Sequence, residues 1–387
     1  MRSQRKRDQE FIQRTTLQLL RVQETIRKHT EDRADNMKTL KQHMYEGLLR
    51  GMGDTLADGD VVSSELIRAQ IDEFMQQNYR APKYRIMKKP NKDGKIVVNC
   101  QGELKLRTIA ERLTNDLFVL GKVKQLTIFD NHELRSLEGA PQEVDTLQCM
   151  WCYNLESLEG CPKKLRTGLF SDCGIKSLEG LPDRVEGMLD FKNSKIKNLI
   201  GAPKYVGGSL EVSECKNLES LEGAPEYVGG NFFCEECHNL KSLEGGPKKV
   251  GVNYWARDNR ELRSFKGAAK TIGGSFIGEM CINLESLDMQ GTTIGKHFNI
   301  ERCKALKSFD GFPKVSEDII ANNCTSVTSF KGLPDIINGE LDLSYCPNIK
   351  TLEGCPKKVN KIFDLHRGAM WEKSEIERVC DCKEIIV

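Results

Sequence analysis

The sequence predicts a solenoid, in which short strands from successive repeats stack along the chain. Two observations predict this fold. A motif of the form L-x-S-L-E-G returns between Leu126 and about Leu365, and its copies begin 20 to 22 residues apart. Before each copy, apolar and polar residues alternate over a few positions, as expected for a strand. A fixed period of this length indicates one structural unit per repeat, which buries its apolar side on its neighbours.

Two apolar positions define each repeat. The first position is held by Leu134, Leu155, Ile175, Ile196, Leu218, Leu240, Leu262, Leu284, Leu306, Val327 and Ile349. The second, three residues later, is held by Leu137, Leu158, Leu178, Leu199, Leu221, Leu243, Phe265, Leu287, Phe309, Phe330 and Leu352. A Gly and then a Pro usually follow. Gly tolerates positive φ and Pro lacks a donor, so we expect turns and short extended segments here instead of a full helix.

A third position, three residues before the first, is held by Cys or Asn. We name this set the Cys/Asn ladder: Asn131, Cys152, Asn193, Cys215, Cys237, Asn259, Cys281, Cys303, Cys324 and Cys346. The spacing resembles the leucine-rich repeat pattern L-x-x-L-x-L-x-x-N/C-x-L over roughly two-thirds of the chain. The resemblance implies that these side chains point inward and hydrogen-bond the backbone. The unit from Leu165 to Leu178 is short and displaces Cys173, so we expect a distorted turn there.

The fuller motif SLEG-x-P-x-x-VGG resembles a repeat variant of bacteriophage and some bacterial proteins. With this resemblance the predicted fold class is an α/β solenoid: a leucine-rich-repeat array with short parallel strands and largely non-helical convex turns, preceded by an α-helical arm and cap. About eleven repeats should occupy residues 121–366.

Composition excludes several classes of protein. Lys and Arg number 58 and Asp and Glu 56, so the formal net charge of +2 gives no global attraction to nucleic acid or membranes. Seven of the 15 cysteines occupy the ladder, which favours reduced, buried thiols in a chain made in the host cytoplasm. No apolar run has the length of a membrane span or a signal sequence, so we expect no membrane partner.

Residues 1–60 are expected to form a helical attachment arm and linker. Residues 1–50 are polar, with a thin apolar stripe that would need a partner subunit or another copy of the chain. Their basic start, Arg2, Arg5, Lys6 and Arg7, could contact phosphates or an acidic protein surface. Such runs are more often solvated ends, and nucleic acid is not an expected partner.

Two caps should close the array. Residues 61–120 predict a helix from Ser63 or Ser64 to Tyr79, a hairpin of residues 84–87 with residues 96–98, and a helix from Glu103 to Leu120. Residues 367–387 predict a short helix and a last strand. An array end exposes an apolar cross-section, which these segments would cover.

Neither a metal site nor an active site is predicted. Cys149-x-x-Cys152 and Cys234-x-x-Cys237 have zinc-knuckle spacing, but packing inside the repeat explains all four. Cys380-x-Cys382 is unexplained by the repeat and could be a free pair or an intermolecular bridge. The histidines pair with no recurrent nucleophile, so we expect no enzyme and no cofactor.

Outward-facing strand residues should form one surface, which we name the strand face. Its middle column is Phe170, Asp190, Glu211, Phe233, Trp255, Ile277, Asn299, Ile320, Asp342 and Asp364, and its neighbouring column includes Glu235, Arg257, Glu279 and Glu301. Phe233, Trp255 and Ile277 are consecutive and predict an apolar partner-binding patch, with Glu235 and Arg257 at its rim. The alternative is that the three side chains pack beneath a loop or terminal element.

These observations favour a non-enzymatic structural or protein-binding module. The repeat resemblance implies a bacteriophage virion component of the head, neck or tail. Its partners would be virion subunits, and other copies of itself through residues 1–50. The alternative is a soluble effector that binds a host protein through the strand face.

Overall fold

A computed structural model of the chain describes residues 60–80, 82–87, 91, 95–107, 110–114, 118–368 and 370–387, with side chains from residue 68 onward. The predicted arm, residues 1–50, lies outside these ranges. The chain divides into two compact units, Met1–Ala69 and Gln70–Val387. Helix α1 spans Asp60–Asn78 and helix α2 spans Lys373–Glu377. No helix among the described residues is both long and apolar enough to cross a membrane.

The second unit contains 24 strands among the described residues, and 18 of them have only two residues. In chain order they are β1 (Tyr79–Arg80), β2 (Arg85–Ile86), β3 (Ile96–Leu106), β4 (Phe118–Phe129), β5 (Glu143–Met150), β6 (Lys164–Leu169), β7 (Arg184–Val185), β8 (Leu189–Asp190), β9 (Tyr205–Val206), β10 (Leu210–Glu211), β11 (Tyr227–Val228), β12 (Phe232–Phe233), β13 (Lys249–Val250), β14 (Tyr254–Trp255), β15 (Thr271–Ile272), β16 (Phe276–Ile277), β17 (Thr293–Ile294), β18 (Phe298–Asn299), β19 (Lys314–Val315), β20 (Ile319–Ile320), β21 (Ile336–Ile337), β22 (Leu341–Asp342), β23 (Lys358–Asp364) and β24 (Asp381–Ile386).

These strands form a parallel β-solenoid of about 13 turns, so the solenoid prediction is confirmed. The first sheet runs in parallel register from β3 through β4, β5, β6, β8 and the even-numbered strands to β22, then β23 and β24. The second sheet joins β7, β9, β11, β13, β15, β17 and β19. Each central turn therefore contributes one strand to each sheet.

The apolar repeat positions form the core between these sheets. All eleven residues at the first position are buried, from Leu134 to Ile349. Phe232, Tyr254, Phe276 and Phe298 pack against one another from one turn to the next, with ring centroids 5.0, 5.3 and 5.7 Å apart and an edge-to-face contact between the first two. Burial of this repeated apolar surface is what holds one turn on the next.

Glycine is required where turns approach closely. Gly223 ends a repeat motif with φ of 87°, and a Cβ there would lie 2.5 Å from the Ile200 backbone. A Cβ on Gly229, in the Val-Gly-Gly segment, would lie 2.1 Å from the carbonyl oxygen of Gly207. Both positions exclude larger residues because consecutive turns stack backbone on backbone.

The expected helix from Glu103 to Leu120 is wrong at both ends. Residues up to Leu106 belong to β3, and Phe118 begins β4. Leu104 and Leu106 are buried while their neighbours are exposed, which is the two-residue period of a strand. Parallel pairing of β3 with β4 places this segment inside the solenoid. The array therefore begins before residue 121. This earlier start contributes to the difference between the about 13 turns of the solenoid and the eleven repeats that were expected.

The remaining cap segments lie close to their expected positions. Strand β2 pairs antiparallel with β3 through Arg85↔Asn99 and Ile86↔Val98, as a hairpin does. At the other end, α2 precedes β24, and β24 pairs parallel with β23. Tyr79 is fully buried and its hydroxyl donates to the Leu113 carbonyl at 2.7 Å.

Candidate functional site: the strand face and its supporting ladders

Phe233 and Trp255 form the exposed apolar centre of the strand face. They are direct partners in the pairing of β12 with β14. Their rings stack with centroids 6.0 Å apart and planes inclined by 23°. Both side chains are half-buried, because alternation along each strand buries Phe232 and Tyr254 and turns the next residue outward. Two aromatic rings are thus held side by side at the surface.

The third predicted residue of the patch, Ile277, contributes little accessible surface. It lies in register between Trp255 and Asn299, and only 7 % of it is exposed. Its short branched side chain does not extend beyond these neighbours. The prediction of three large exposed apolar groups is therefore wrong, and the patch is a pair of aromatic residues.

The predicted rim residues differ in their pairing. The Arg257 guanidinium donates to Glu236 Oε1 at 3.2 Å. Burial raises the pKa of Glu235, and the nearby Arg257 opposes that shift. Trp255 Nε1 and Arg257 Nε are both buried without a hydrogen-bond acceptor. Two donors with no acceptor thus lie below the accessible surface of the aromatic pair.

Carboxylates surround this centre. From Asp190 to His366 the two outward columns hold seven acidic and two basic residues, a formal difference of −5: Asp190, Glu211, Glu235, Glu279, Glu301, Asp342 and Asp364 against Lys192 and Arg257. Burial, with a contribution from neighbouring carboxylates, raises the pKa of Glu211 and of Glu279. Since the whole chain carries +2, the strand face is acidic relative to the rest of the molecule.

The Cys/Asn ladder lies directly beneath the strand face. Cys215 Sγ contacts the Phe191 carbonyl at 3.2 Å, and Cys281, Cys303, Cys324 and Cys346 make the same contact with the preceding turn at 3.3 to 3.4 Å. Cys152 and Cys237 are buried in the same way. Asn131 and Asn259 are fully buried, and each side chain pairs with several backbone groups. The ladder side chains thus donate hydrogen bonds to backbone carbonyls where the chain leaves the paired strands.

The prediction that Asn193 belongs to the Cys/Asn ladder is wrong. Asn193 is exposed with φ of 54°, and Ser194 occupies the buried position, 3.3 Å from Cys215 Sγ. In this repeat the ladder residue, Ser194, lies two residues before the first apolar position, Ile196, instead of three. Cys173 lies two residues before Ile175 in the same way. The same shortening misplaced Phe170, which is fully buried and stacks on Phe191 at 5.1 Å.

A second ladder, which sequence reasoning missed, borders the strand face. Ser209 Oγ accepts the Asn231 backbone N–H at 3.0 Å, Asn231 Oδ1 accepts that of Asn253 at 3.0 Å, and Asn253 Oδ1 accepts that of Ser275 at 2.8 Å. The signal was present, because a Ser or Asn precedes the first-sheet strand in each of these repeats. These bonds fix the strands that carry the aromatic pair.

One cluster among the described residues has the spacing of metal ligands. Ligand atoms of His297, Glu317 and Asp318 lie within 4.8 Å of one another. His297 Nδ1 is 2.9 Å and Lys361 Nζ 3.1 Å from the Asp318 carboxylate. A lysine ammonium already neutralises this carboxylate, so the cluster is better described as an ion-pair network.

The structure therefore places four of the predicted binding residues together, with Phe233 and Trp255 at the surface and Glu235 and Arg257 beside them. Comparison with known proteins adds no assignment: the chain matches no protein-family model and no curated protein.

Proposed function

We propose that this chain is a non-enzymatic protein-binding module that holds its partner on the strand face. The observation that carries the proposal is the stacked pair of Phe233 and Trp255, half-exposed on rigid, paired strands. Large aromatic residues fixed by their surroundings lose little entropy on association and commonly dominate binding energy. The acidic residues around the pair add selectivity for a partner of opposite charge.

The charge pattern selects the chemistry of the partner. A complementary surface would place an apolar group on the aromatic pair, with Lys or Arg opposite Glu211, Glu235 and Glu279. Because the pKa of each of these carboxyls is raised, they lose charge at a higher pH than ordinary carboxylates. Binding of a basic partner should therefore weaken as the pH falls through that range.

More specifically, we propose that the chain belongs to the leucine-rich-repeat class and is a bacteriophage virion component of the head, neck or tail. The Cys/Asn ladder and the SLEG-x-P-x-x-VGG motif support it through their resemblance to such repeats. Residues 1–60 would be the attachment arm, joining virion subunits or further copies of the chain. The second candidate is a soluble effector that binds a host protein, favoured by the acidic, aromatic strand face.

Two experiments test these proposals. A photo-crosslinking residue at position 233 should capture a partner, whereas the same residue at Ile336, which is 58 % exposed on β21, should not. Equal capture at both positions would contradict binding through the strand face. Quantitative mass spectrometry of purified particles distinguishes the two contexts, because a virion component occurs at a fixed copy number and an effector does not.

A further inference from the structure

The second sheet carries a basic surface next to the acidic strand face. The first residue of each strand in this sheet and the residue before it form two columns, which we name the lysine face. From β7 to β19 these columns hold six basic and two acidic residues, a formal difference of +4: Arg184, Lys204, Lys248, Lys249, Lys270 and Lys314 against Asp183 and Glu226. On the same seven turns, between Asp190 and Asn322, the strand face holds five acidic and two basic residues, a formal difference of −3. These turns therefore carry opposite charge on two surfaces of one molecule.

Two tyrosines lie within the lysine face. Tyr205 and Tyr227 are direct partners in the pairing of β9 with β11, and their rings stack with centroids 5.3 Å apart and planes inclined by 22°. The Arg184 guanidinium lies 3.6 Å from the Tyr205 ring centroid, and the Lys249 ammonium lies 5.7 Å from that of Tyr227. A cation over an aromatic ring is a favourable contact. Four consecutive turns thus form one column in the order cation, ring, ring, cation.

Most cations of the lysine face have no carboxylate of their own. Arg184 pairs with Glu186 at 2.5 Å, and Lys248 pairs with Glu226 at 3.1 Å. Within the part of the chain that the structure describes, the other four cations are exposed and pair with no carboxylate: Lys204, Lys249, Lys270 and Lys314. Their charges are therefore available to a partner.

The arrangement of the rings disfavours single-stranded nucleic acid as that partner. Proteins hold such ligands largely through bases that stack on aromatic side chains. Arg184 and Tyr227 lie on the two sides of the Tyr205 ring, and Tyr205 and Lys249 lie on the two sides of the Tyr227 ring. Neither ring has a face open to a base, so a protein surface rich in carboxylates fits better.

The strand face of another copy is such a surface. Both surfaces repeat with a spacing of about 4.8 Å per turn, because both are built on stacked parallel strands. Two copies that lie lengthwise against each other can therefore keep opposite charges matched over about 30 Å. Each surface also has a stacked aromatic pair on two successive turns, Tyr205 with Tyr227 and Phe233 with Trp255.

We propose that the lysine face of one copy of this chain docks on the strand face of another copy. The inference rests on the proposed function, because it takes the strand face as the binding surface and names its partner. The two surfaces are different, so the contact is heterologous and leaves one strand face and one lysine face free. Association should then continue beyond two copies.

Sedimentation velocity of the purified full-length chain tests this contact at about 0.05 M and about 0.5 M salt. We expect a mass that increases with protein concentration at low salt and falls towards that of a single chain at high salt. Lys249→Glu with Lys270→Glu should weaken self-association by about tenfold or more. Lys241→Glu with Lys350→Glu is the matched control, because it makes the same change in net charge at exposed lysines outside both surfaces. This control should associate as the wild type does.

Mixing two variants gives a positive result that a folding defect cannot produce. Glu235→Lys reverses a charge on the strand face and keeps the lysine face intact, so alone it should also associate more weakly than the wild type. Mixed in equal amounts with Lys249→Glu/Lys270→Glu, whose strand face is intact, it should form complexes that contain both variants. A photo-crosslinking residue at position 233 of the lysine variant should then link to lysine-face peptides of an isotope-labelled Glu235→Lys copy.

Several results would overturn the inference. One is a chain that stays single at every concentration in low salt. Another is self-association that survives both charge reversals, which would place the contact elsewhere, for example in residues 1–50. A third is a single chain that binds a single-stranded oligonucleotide and loses this binding in Lys249→Glu/Lys270→Glu, since the lysine face would then serve a polyanion. In each case capture of other proteins from position 233 decides the proposed function separately, because the strand face can bind a partner that is not a copy of this chain.

Discussion

The side-chain oxygen of Asn259 accepts the backbone N–H of Cys237, in the preceding turn, at 2.9 Å. Asn259 Nδ2 donates to the carbonyls of Cys234 and Ala256 at 2.8 and 2.9 Å. One buried amide thus pairs with three backbone groups in two turns. Cys237, in the adjacent ladder position, reaches the Val212 carbonyl through its thiol at 3.2 Å.

Replacing Asn259 should therefore lower the stability of the fold, by an amount that depends on how many of these hydrogen bonds the new side chain can still form. Asn259→Ala leaves the Cys237 N–H and the Cys234 carbonyl without partners, while the Ala256 carbonyl keeps the Cys281 thiol, and should lower the free energy of unfolding by about 3 kcal/mol. Asn259→Cys should cost less, because a thiol can still reach one carbonyl. Asn193→Gly, at an exposed side chain whose φ of 54° Gly tolerates, is the control and should be nearly neutral. Equal denaturation midpoints for the three variants would contradict this role.

The ladder thiols should be reduced and protected. Labelling of the native protein should spare Cys215, Cys237, Cys281 and Cys303 until denaturant is added, since all four are fully buried. Rapid labelling without unfolding would contradict the structure. Cys281→Asp would bury an unpaired charge and should cost about 3 to 5 kcal/mol in unfolding free energy.

Stability should fall at alkaline pH. Burial raises the pKa of Cys215 to about 11 and that of Cys281 to about 12, from an ordinary value of 9.0. Between pH 9.0 and these values the unfolded chain releases thiol protons that the folded chain retains, so rising pH favours unfolding. The stabilisation is complete below pH 9.0 and is lost as the pH rises through the folded-state values.

Denaturation midpoints measured across this range check the prediction. Cys281→Ala is the control, because lysines and tyrosines also titrate there. This variant should show a shallower decline than the wild type. Parallel declines would mean that the Cys281 thiol does not contribute.

Deleting residues 1–50 should leave a folded solenoid that no longer joins its assembly. The thin apolar stripe and basic start of this segment motivate the prediction. Circular dichroism and thermal melting check folding, and sedimentation of the assembled material checks incorporation. Loss of the folded state would instead show that the segment belongs to the core.

The repeat period predicted the solenoid because it reports the one interaction that every turn shares, burial of Leu218 and its equivalents against neighbouring turns. The period gives wrong positions for Asn193 and Phe170, because the repeats there are one residue shorter. The apolar positions can still be recognised in these repeats, but the ladder position is shifted by one residue. The short apolar runs of the Glu103–Leu120 segment fit either a helical or a strand period, and pairing with neighbouring strands decides between them.

The candidate site was less predictable than the fold. Alternation along the strand placed Phe233 and Trp255 outward, but the burial of Ile277 depends on the sizes of its cross-strand neighbours.

The most direct test of binding through the strand face compares Trp255→Ala with Ile320→Ala. Ile320 lies in the same column and is also half-buried, but its strand neighbours are Asn299 and Asp342 instead of an aromatic ring. We expect Trp255→Ala to weaken partner capture from a crosslinker at position 233 by about tenfold or more, corresponding to a loss of about 1.4 to 2 kcal/mol, with little change in melting temperature. Ile320→Ala should leave capture unchanged. If Trp255→Ala instead lowers the melting temperature and leaves capture intact, Trp255 is a packing residue and the strand face is not the binding surface.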